Sequence, residues 1–279
     1  MDEYDVHPLV GDELLSPTIR PKVDLYENHI YLIIHFPAVS HSHGGDSSGQ
    51  EIDFIIGKDF IITTHYHLID PLHEFSKVFE VNSILDKSDI GDHAGYIFFY
   101  IIREMYKNLI KELDHIDAEL ENIEEKIFEG KEAEMVAAIS HVNRDLLNVR
   151  QAIRPHRDVL ESFENTGKKF FGDEFTYHLR TLTGEYYKVF NILEGHKETL
   201  LDLRDTNDSL LTTKTNEIMK LFTVMAFVVF PPALMVGMFS MNTINNPIIG
   251  HKYDFWIIFL IMLLSTLVIF AFFKWKKWM

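Results

Sequence analysis

Asp202 to Asn242 reads DLRDTNDSLLTTKTNEIMKLFTVMAFVVFPPALMVGMFSMN, and the reading of the whole chain turns on this stretch. Its second half, Leu221 to Phe239, is an uncharged run of 19 residues. As a helix rising about 1.5 Å per residue, such a run spans a hydrocarbon core of about 30 Å. The first half is polar and charged, yet neither Gly nor Pro interrupts the chain from Lys197 to Phe230. The pattern predicts one continuous helix that passes from the aqueous phase into a membrane. One face of it carries Asp202, Asp205, Ser209, Thr212, Asn216, Met219, Thr223, Ala226, Phe230, Ala233, Gly237 and Ser240. Alternating steps of three and four are the seam of a left-handed helical bundle. In a soluble coiled coil that seam is apolar. Here its first five members are carboxylates, hydroxyls and an amide, and a polar seam entering a membrane is costly unless it lines water or another chain. Two readings stand: the wall of a pore shared by several copies, or a solvated face leading into an ordinary membrane anchor.

A second uncharged run of 19 residues, Phe255 to Phe273, has Trp256 and Trp275 at its ends, as in an interfacial aromatic belt. Lys274, Lys276 and Lys277 follow it, whereas the connection before it carries only Lys252. The positive-inside rule then puts both termini in the cytoplasm, in a multi-pass protein of the cell (inner) membrane. The opening Met-Asp-Glu-Tyr-Asp has no basic region followed by an apolar run, so it does not read as a signal peptide.

Upstream, the period changes twice. The first 20 residues read as acidic and irregular. Strand-like runs follow at Lys22–Glu27, His29–Phe36, Glu51–Gly57 and Asp59–His65, with Glu27-Asn28 as a hairpin tip, Gly57-Lys58 as a connection, and Pro71 opening a helix to about Val81. Residues 1–93 therefore predict an N-terminal α/β domain. From Ala94 the apolar residues step by three or four (Ile97, Ile101, Met105, Leu109, Leu113) until Gly130, and a second helix runs from about Lys131 to Asn165, kinked at Pro155. Residues 94–172 predict an acidic helical hairpin. A third helix over 173–239, on the order of 100 Å long, ends in the first membrane span. Residues 240–254 form an outer loop, and 255–279 the second span with a basic tail.

Composition narrows the function classes. Cysteine is absent, which removes disulfides and thiolate metal sites. The net charge is −16, with nearly all the acid before Lys214. An acidic soluble part lacks the basic footprint of a nucleic-acid binder and favours cations nearby. No phosphate loop, nucleophile triad or HExxH-like helix is present, so the chain reads as neither an enzyme nor a holder of an organic cofactor. His41/His43 and His65/His67 are metal-like pairs without a third ligand at recognisable spacing.

NEIMKLFT at Asn216–Thr223, Pro231, GMFSMN at Gly237–Asn242 and the basic ending Lys274–Met279 resemble the CorA-type divalent-cation channels. That family has an Asn-Glu-x-Met-Lys-x-x-Thr stretch on its pore helix, which ends in Gly-Met-Asn before a second membrane helix. The resemblance extends over essentially the whole chain, including DFIIGKDFIITTH at Asp53–His65. It implies an α+β cytoplasmic domain, a long stalk and pore helix, and two transmembrane helices, assembled as a funnel-shaped homopentamer. Its cargo or regulatory ligand is Mg2+ or another divalent cation. By resemblance, Asn242 forms the selectivity filter with Ser240 and Met241, holding a hydrated ion. Met219 and Phe222 form the apolar constriction, Phe230, Ala233 and Gly237 line the pore with Asn216, and Asp205 is an inner-mouth acid.

The filter chemistry is sound in outline. Magnesium gives up water reluctantly, so neutral amide oxygens accept hydrogen bonds from a hydrated ion without trapping it, and a helix C-terminus adds a negative field. Asparagine is equally suited to a plain C-cap. One departure is prominent: Ser240 replaces the motif glycine, which either rebuilds the turn or moves the ion preference. The outer loop offers only Asp254 as an acid, while His251 suits a softer cation such as zinc. A family sensor acid falls at Thr181, with Glu185 one turn away and out of register. Three hypotheses remain: a CorA-type Mg2+ channel that also passes Co2+ and Ni2+, a related Zn2+ transporter driven by protons, and a membrane-anchored scaffold that conducts nothing.

Overall fold

A computed structural model of the chain describes residues 4–37, 49–67, 69–84, 92–241, 248–250 and 252–276. Contacts divide the chain into two units, Met1–Asp205 and Thr206–Met279.

The first unit is built on four antiparallel strands in meander order, β1 (Lys22–Leu25), β2 (Ile30–Phe36), β3 (Gln50–Ile56) and β4 (Ile61–His65). β2 and β3 pair from Ile30↔Ile56 to Phe36↔Gln50. Both are buried on both faces, as their apolar runs predict. One face of the sheet carries Tyr31, Ile33 and Ile55 and is covered by Val6 and Val10. Val10 lies on α1 (Pro8–Glu13), inside the stretch expected to be irregular. Six residues and one buried anchor are too few to show a period; what starts this helix is Pro at its first position and His7, whose Nδ1 accepts the Leu9 N–H at 3.3 Å. The other face meets the helices through Phe54 and Phe98, 5.1 Å apart edge-to-face. The β1–β2 turn closes at Glu27-Asn28 with Tyr26 N–H donating to His29 O at 2.9 Å. Gly57 is required by close approach, because a Cβ there would overlap the Phe60 ring.

α2 (Asp70–Ile84) precedes α3 (Gly95–Phe128), which stops at Gly130 with φ +91°. α3 then packs along α4 (Glu132–Ile153), giving the antiparallel hairpin. At the expected kink the helix is interrupted over Arg154 and Pro155, which both keep right-handed helical dihedrals, and α5 (His156–Phe171) continues past Asn165 to the positive-φ Gly172. Proline has no N–H for the helical ladder, and the interruption lets His156 turn into the core. α6 (Thr176–Phe239) is a single helix of 64 residues that passes Gly184, Gly195, Pro231 and Pro232 without ending. Its first part belongs to the first unit, tied there by Arg150 Nε to Glu194 at 2.9 Å and His196 to Asp117 at 3.4 Å.

The second unit holds the remainder of α6 and α7 (Asp254–Trp275). Both helices are long and apolar enough to cross a membrane, and hardly any of either apolar stretch is covered by the chain itself.

Candidate functional site

The candidate site is the seam of α6. α7 touches α6 at Met235, whose Sδ lies 3.9 Å from Ser265 Oγ, and at Phe227, whose ring lies 5.8 Å from that of Phe273. Val224, on the same side of α6 as Met235, is buried. At about 100° per residue, Met235 lies roughly 160° around the helix from Met219 and Gly237, and Phe227 about 40° from Thr223, so α7 borders one edge of the seam. The seam itself is left open. Asp205, Asn216, Met219, Ala226, Phe230, Ala233 and Gly237 are all exposed, and Thr223 is half-buried. Met219 is 59% exposed, Phe222 62% and Phe230 73%, large apolar areas for one chain to leave bare. Exposure alone does not single out this face, because Met225, Val229 and Val236 are equally bare. The polar lead-in and the small residues Ala226, Ala233 and Gly237 do.

Hydroxyls near the membrane entry are satisfied within the helix. Thr213 donates to Ser209 O at 2.9 Å, Thr215 to Leu211 O at 2.9 Å, and Thr223 to Met219 O at 2.8 Å. Bonding back to the fourth preceding carbonyl removes the need for water, so these side chains tolerate an apolar neighbour as well as a wet one.

At the end of α6 the structure resolves the question posed by Ser240. Its N–H donates to Val236 O at 3.0 Å and its hydroxyl to the same oxygen at 2.7 Å. Among the described residues Asp5 is the only non-glycine with positive φ, so Ser240 does not use the conformation that favours glycine. The turn is built by continuing the helical ladder through Ser240. Met241 follows, exposed, with its N–H on Met238 O at 3.3 Å. Asn242 lies outside the described residues, as do His41, His43 and His251. Asp254 is the first residue of α7, and its carboxylate is held locally: Oδ1 accepts Phe255 N–H at 2.7 Å and Oδ2 accepts Gly250 N–H at 3.2 Å.

The remaining sequence candidates do not converge on this face. His65 Nδ1–H donates to the His67 carbonyl at 2.7 Å, which commits that ring to the backbone. Thr181 donates to Tyr177 O at 3.0 Å. The buried titratable groups in the first unit, which periodicity does not reveal, serve the fold. Tyr106 O–H donates to His156 Nδ1 at 2.8 Å and His156 Nε2–H to His35 O at 2.7 Å, while burial holds that imidazole down to about 4. Asp53 accepts from Tyr31 at 3.1 Å and Thr64 at 3.2 Å, and burial raises its carboxyl above the usual range. Their only legible signal is polarity inside an apolar strand or just after a proline.

A sheet-and-hairpin unit followed by two helices long and apolar enough to cross a membrane fits the class of two-span membrane proteins. The chain belongs to the family described as CorA-like Mg2+ transporter protein, whose model matches residues 1–276, a family of transporters and not of enzymes. It is 25% identical to the cobalt/magnesium transport protein CorA of Thermotoga maritima over 99% of this chain and 78% of that protein. Its fold is similar to that of the complete CorA magnesium transporter of Methanocaldococcus jannaschii, with a TM-score of 0.80 at 19% identity over 93% of this chain and 80% of that one. It is also similar to the cytoplasmic domain of ZntB from Vibrio parahaemolyticus, with a TM-score of 0.58 at 14% identity over 77% and 82%.

Proposed function

We propose that this chain is the subunit of a homopentameric channel for divalent cations, in which five α6 seams enclose the ion path. Mg2+ is the principal cargo, and Co2+ and Ni2+ also pass. A ring of Asn242 side chains, with Ser240 and Met241 before it, selects the hydrated ion. Met219 and Phe222 form the apolar constriction that gates by dewetting, Phe230, Ala233 and Gly237 line the middle, and Asp205 draws cations to the inner mouth. Both termini and the acidic unit are cytoplasmic. The observation that carries the reading is the open seam: polar at Asp205 and Asn216, small at Ala226, Ala233 and Gly237, and exposed at each of these residues. A polar lead-in followed by small residues suits a face that meets other copies around water better than one that meets lipid. Whole-chain membership of the Mg2+ transporter family and the cobalt/magnesium relative support the choice of cargo.

A second reading, Zn2+ transport coupled to protons, draws on the likeness to the ZntB domain and on the outer connection, whose one acid, Asp254, accepts hydrogen bonds from backbone N–H groups. Purified protein in liposomes, tested with each metal separately and then with Mg2+ against Zn2+ in the presence and absence of a pH gradient, distinguishes the two. Mg2+ entry indifferent to the pH gradient is the expected result. Zn2+ entry that follows the proton gradient supports the second reading, and no flux under any gradient supports a scaffold.

A further inference from the structure

Within the first unit, the antiparallel pair α3 and α4 brings together Glu119, His141 and Asp145, with one ligand atom of each within 4.8 Å of the others. We propose that these three side chains bind a first-row transition-metal cation of the Zn2+, Co2+ or Ni2+ class, clipping the two helices together. His141 and Asp145 are four apart on α4, so they share a face, and His141 Nδ1 already stands 2.9 Å from Asp145 Oδ2. Metal–ligand bonds of about 2.1 Å set neighbouring donors roughly 3.0–3.4 Å apart in octahedral or tetrahedral geometry. That pair is therefore at coordination spacing, and the exposed Glu119 offers a carboxylate oxygen within 4.8 Å of both.

The backbones that carry the ligands are held by core contacts on either side. Leu120 and Ile123 on α3, and Ile139, Val142 and Leu146 on α4, are buried. The metal thus meets a chelate drawn from two fixed helices, with open positions for water. The imidazole decides the ion class. Magnesium takes all-oxygen surroundings, whereas an imidazole with two carboxylates suits zinc, cobalt and nickel. Bare carboxylates are plentiful on this chain of net charge −16. What distinguishes this cluster is the nitrogen donor among them, facing a carboxylate from the partner helix. The site lies outside the conducting helix and binds whether or not the proposed pore conducts.

The test uses the full chain, purified in detergent and stripped of metal, titrated with CoCl2 and ZnCl2 by calorimetry and by the visible absorption of Co2+. One equivalent per chain that a hundredfold excess of Mg2+ does not displace is the expected result. His141→Ala abolishes it, and Asp145→Asn and Glu119→Gln each weaken it roughly 100-fold, no less than loss of an outer-shell partner costs a metal site. All three side chains are surface groups, so circular dichroism should be unchanged. Asn242→Ala retains the equivalent, which separates the hairpin from the pore. Binding that persists unaltered in His141→Ala, or that Mg2+ displaces as readily as Zn2+ does, overturns the proposal and leaves an ordinary His141–Asp145 ion pair.

Discussion

The two units bury apolar surface in opposite ways. In the first, Phe54, Phe98 and Phe163 are fully buried by their own chain, and the buried Asp53 and His156 are hydrogen-bonded. In the second, Phe222, Val229, Phe230 and Val236 are at least half exposed. The first unit completes its own core. The second leaves its apolar surface almost wholly uncovered by the chain itself, and on the proposed reading lipid covers some faces and other copies the rest. Apolar content alone does not tell these cases apart, but contact does.

Substitution should separate them most sharply at Phe98. Phe98→Ala removes a fully buried ring and is expected to cost about 3–5 kcal/mol, read as a lower denaturation midpoint by circular dichroism. Met219→Ala, on the bare side of the second unit, should change stability by no more than about 0.5 kcal/mol while raising cation leak in liposomes. Equal stability losses at the two positions would break the contrast.

Next in size is a pH effect confined to the first unit. His156 has a folded value of about 4 against an ordinary 6.5. Between those values the unfolded chain takes up a proton that the folded chain refuses, so stability falls as pH drops from 6.5 to 4, by about 3 kcal/mol for this group alone. Asp53 and Glu51 are shifted upward and act in the opposite sense. They are present in both proteins, so the wild-type-minus-variant difference against His156→Gln isolates the histidine. A difference that is flat with pH would contradict the assignment.

The C-terminal end of α6 gives smaller effects. Asn242→Ala should cost selectivity for Mg2+ over monovalent ions about tenfold, equivalent to about 1.4 kcal/mol, with assembly unchanged by crosslinking. Ser240→Gly should cost about 1 kcal/mol or less and leave the order of cation preference as it is, because Ser240 holds an ordinary helical hydrogen bond.

How far the sequence could be read follows the same division. β2 and β3 were legible because both faces are apolar, and α3 and α6 because their periods are long. The two 19-residue uncharged runs announced both spans. α1 was not legible, being too short to show a period, and His156, just after the proline that interrupts the helix, gives no local sign that it is a core residue. Ser240 looked strained on sequence grounds, since the motif glycine suggested a positive φ that the helix does not use. The bonded interior of Asp53 and His156, and the meeting of Glu119 with His141, depend on tertiary pairing that no local pattern encodes.

The chain contains no cysteine, so single cysteines can be placed on α6 without background. The decisive measurement is the rate at which a charged, water-soluble thiol reagent modifies cysteine at Thr223, Ala226 or Ala233, compared with Met225, Val229 or Val236, in liposomes, with cation flux followed in parallel. An α6 seam that faces water predicts fast modification and block of flux at the first three, and slow modification without block at the others. Protection of the first three with fast reaction at the others would contradict it.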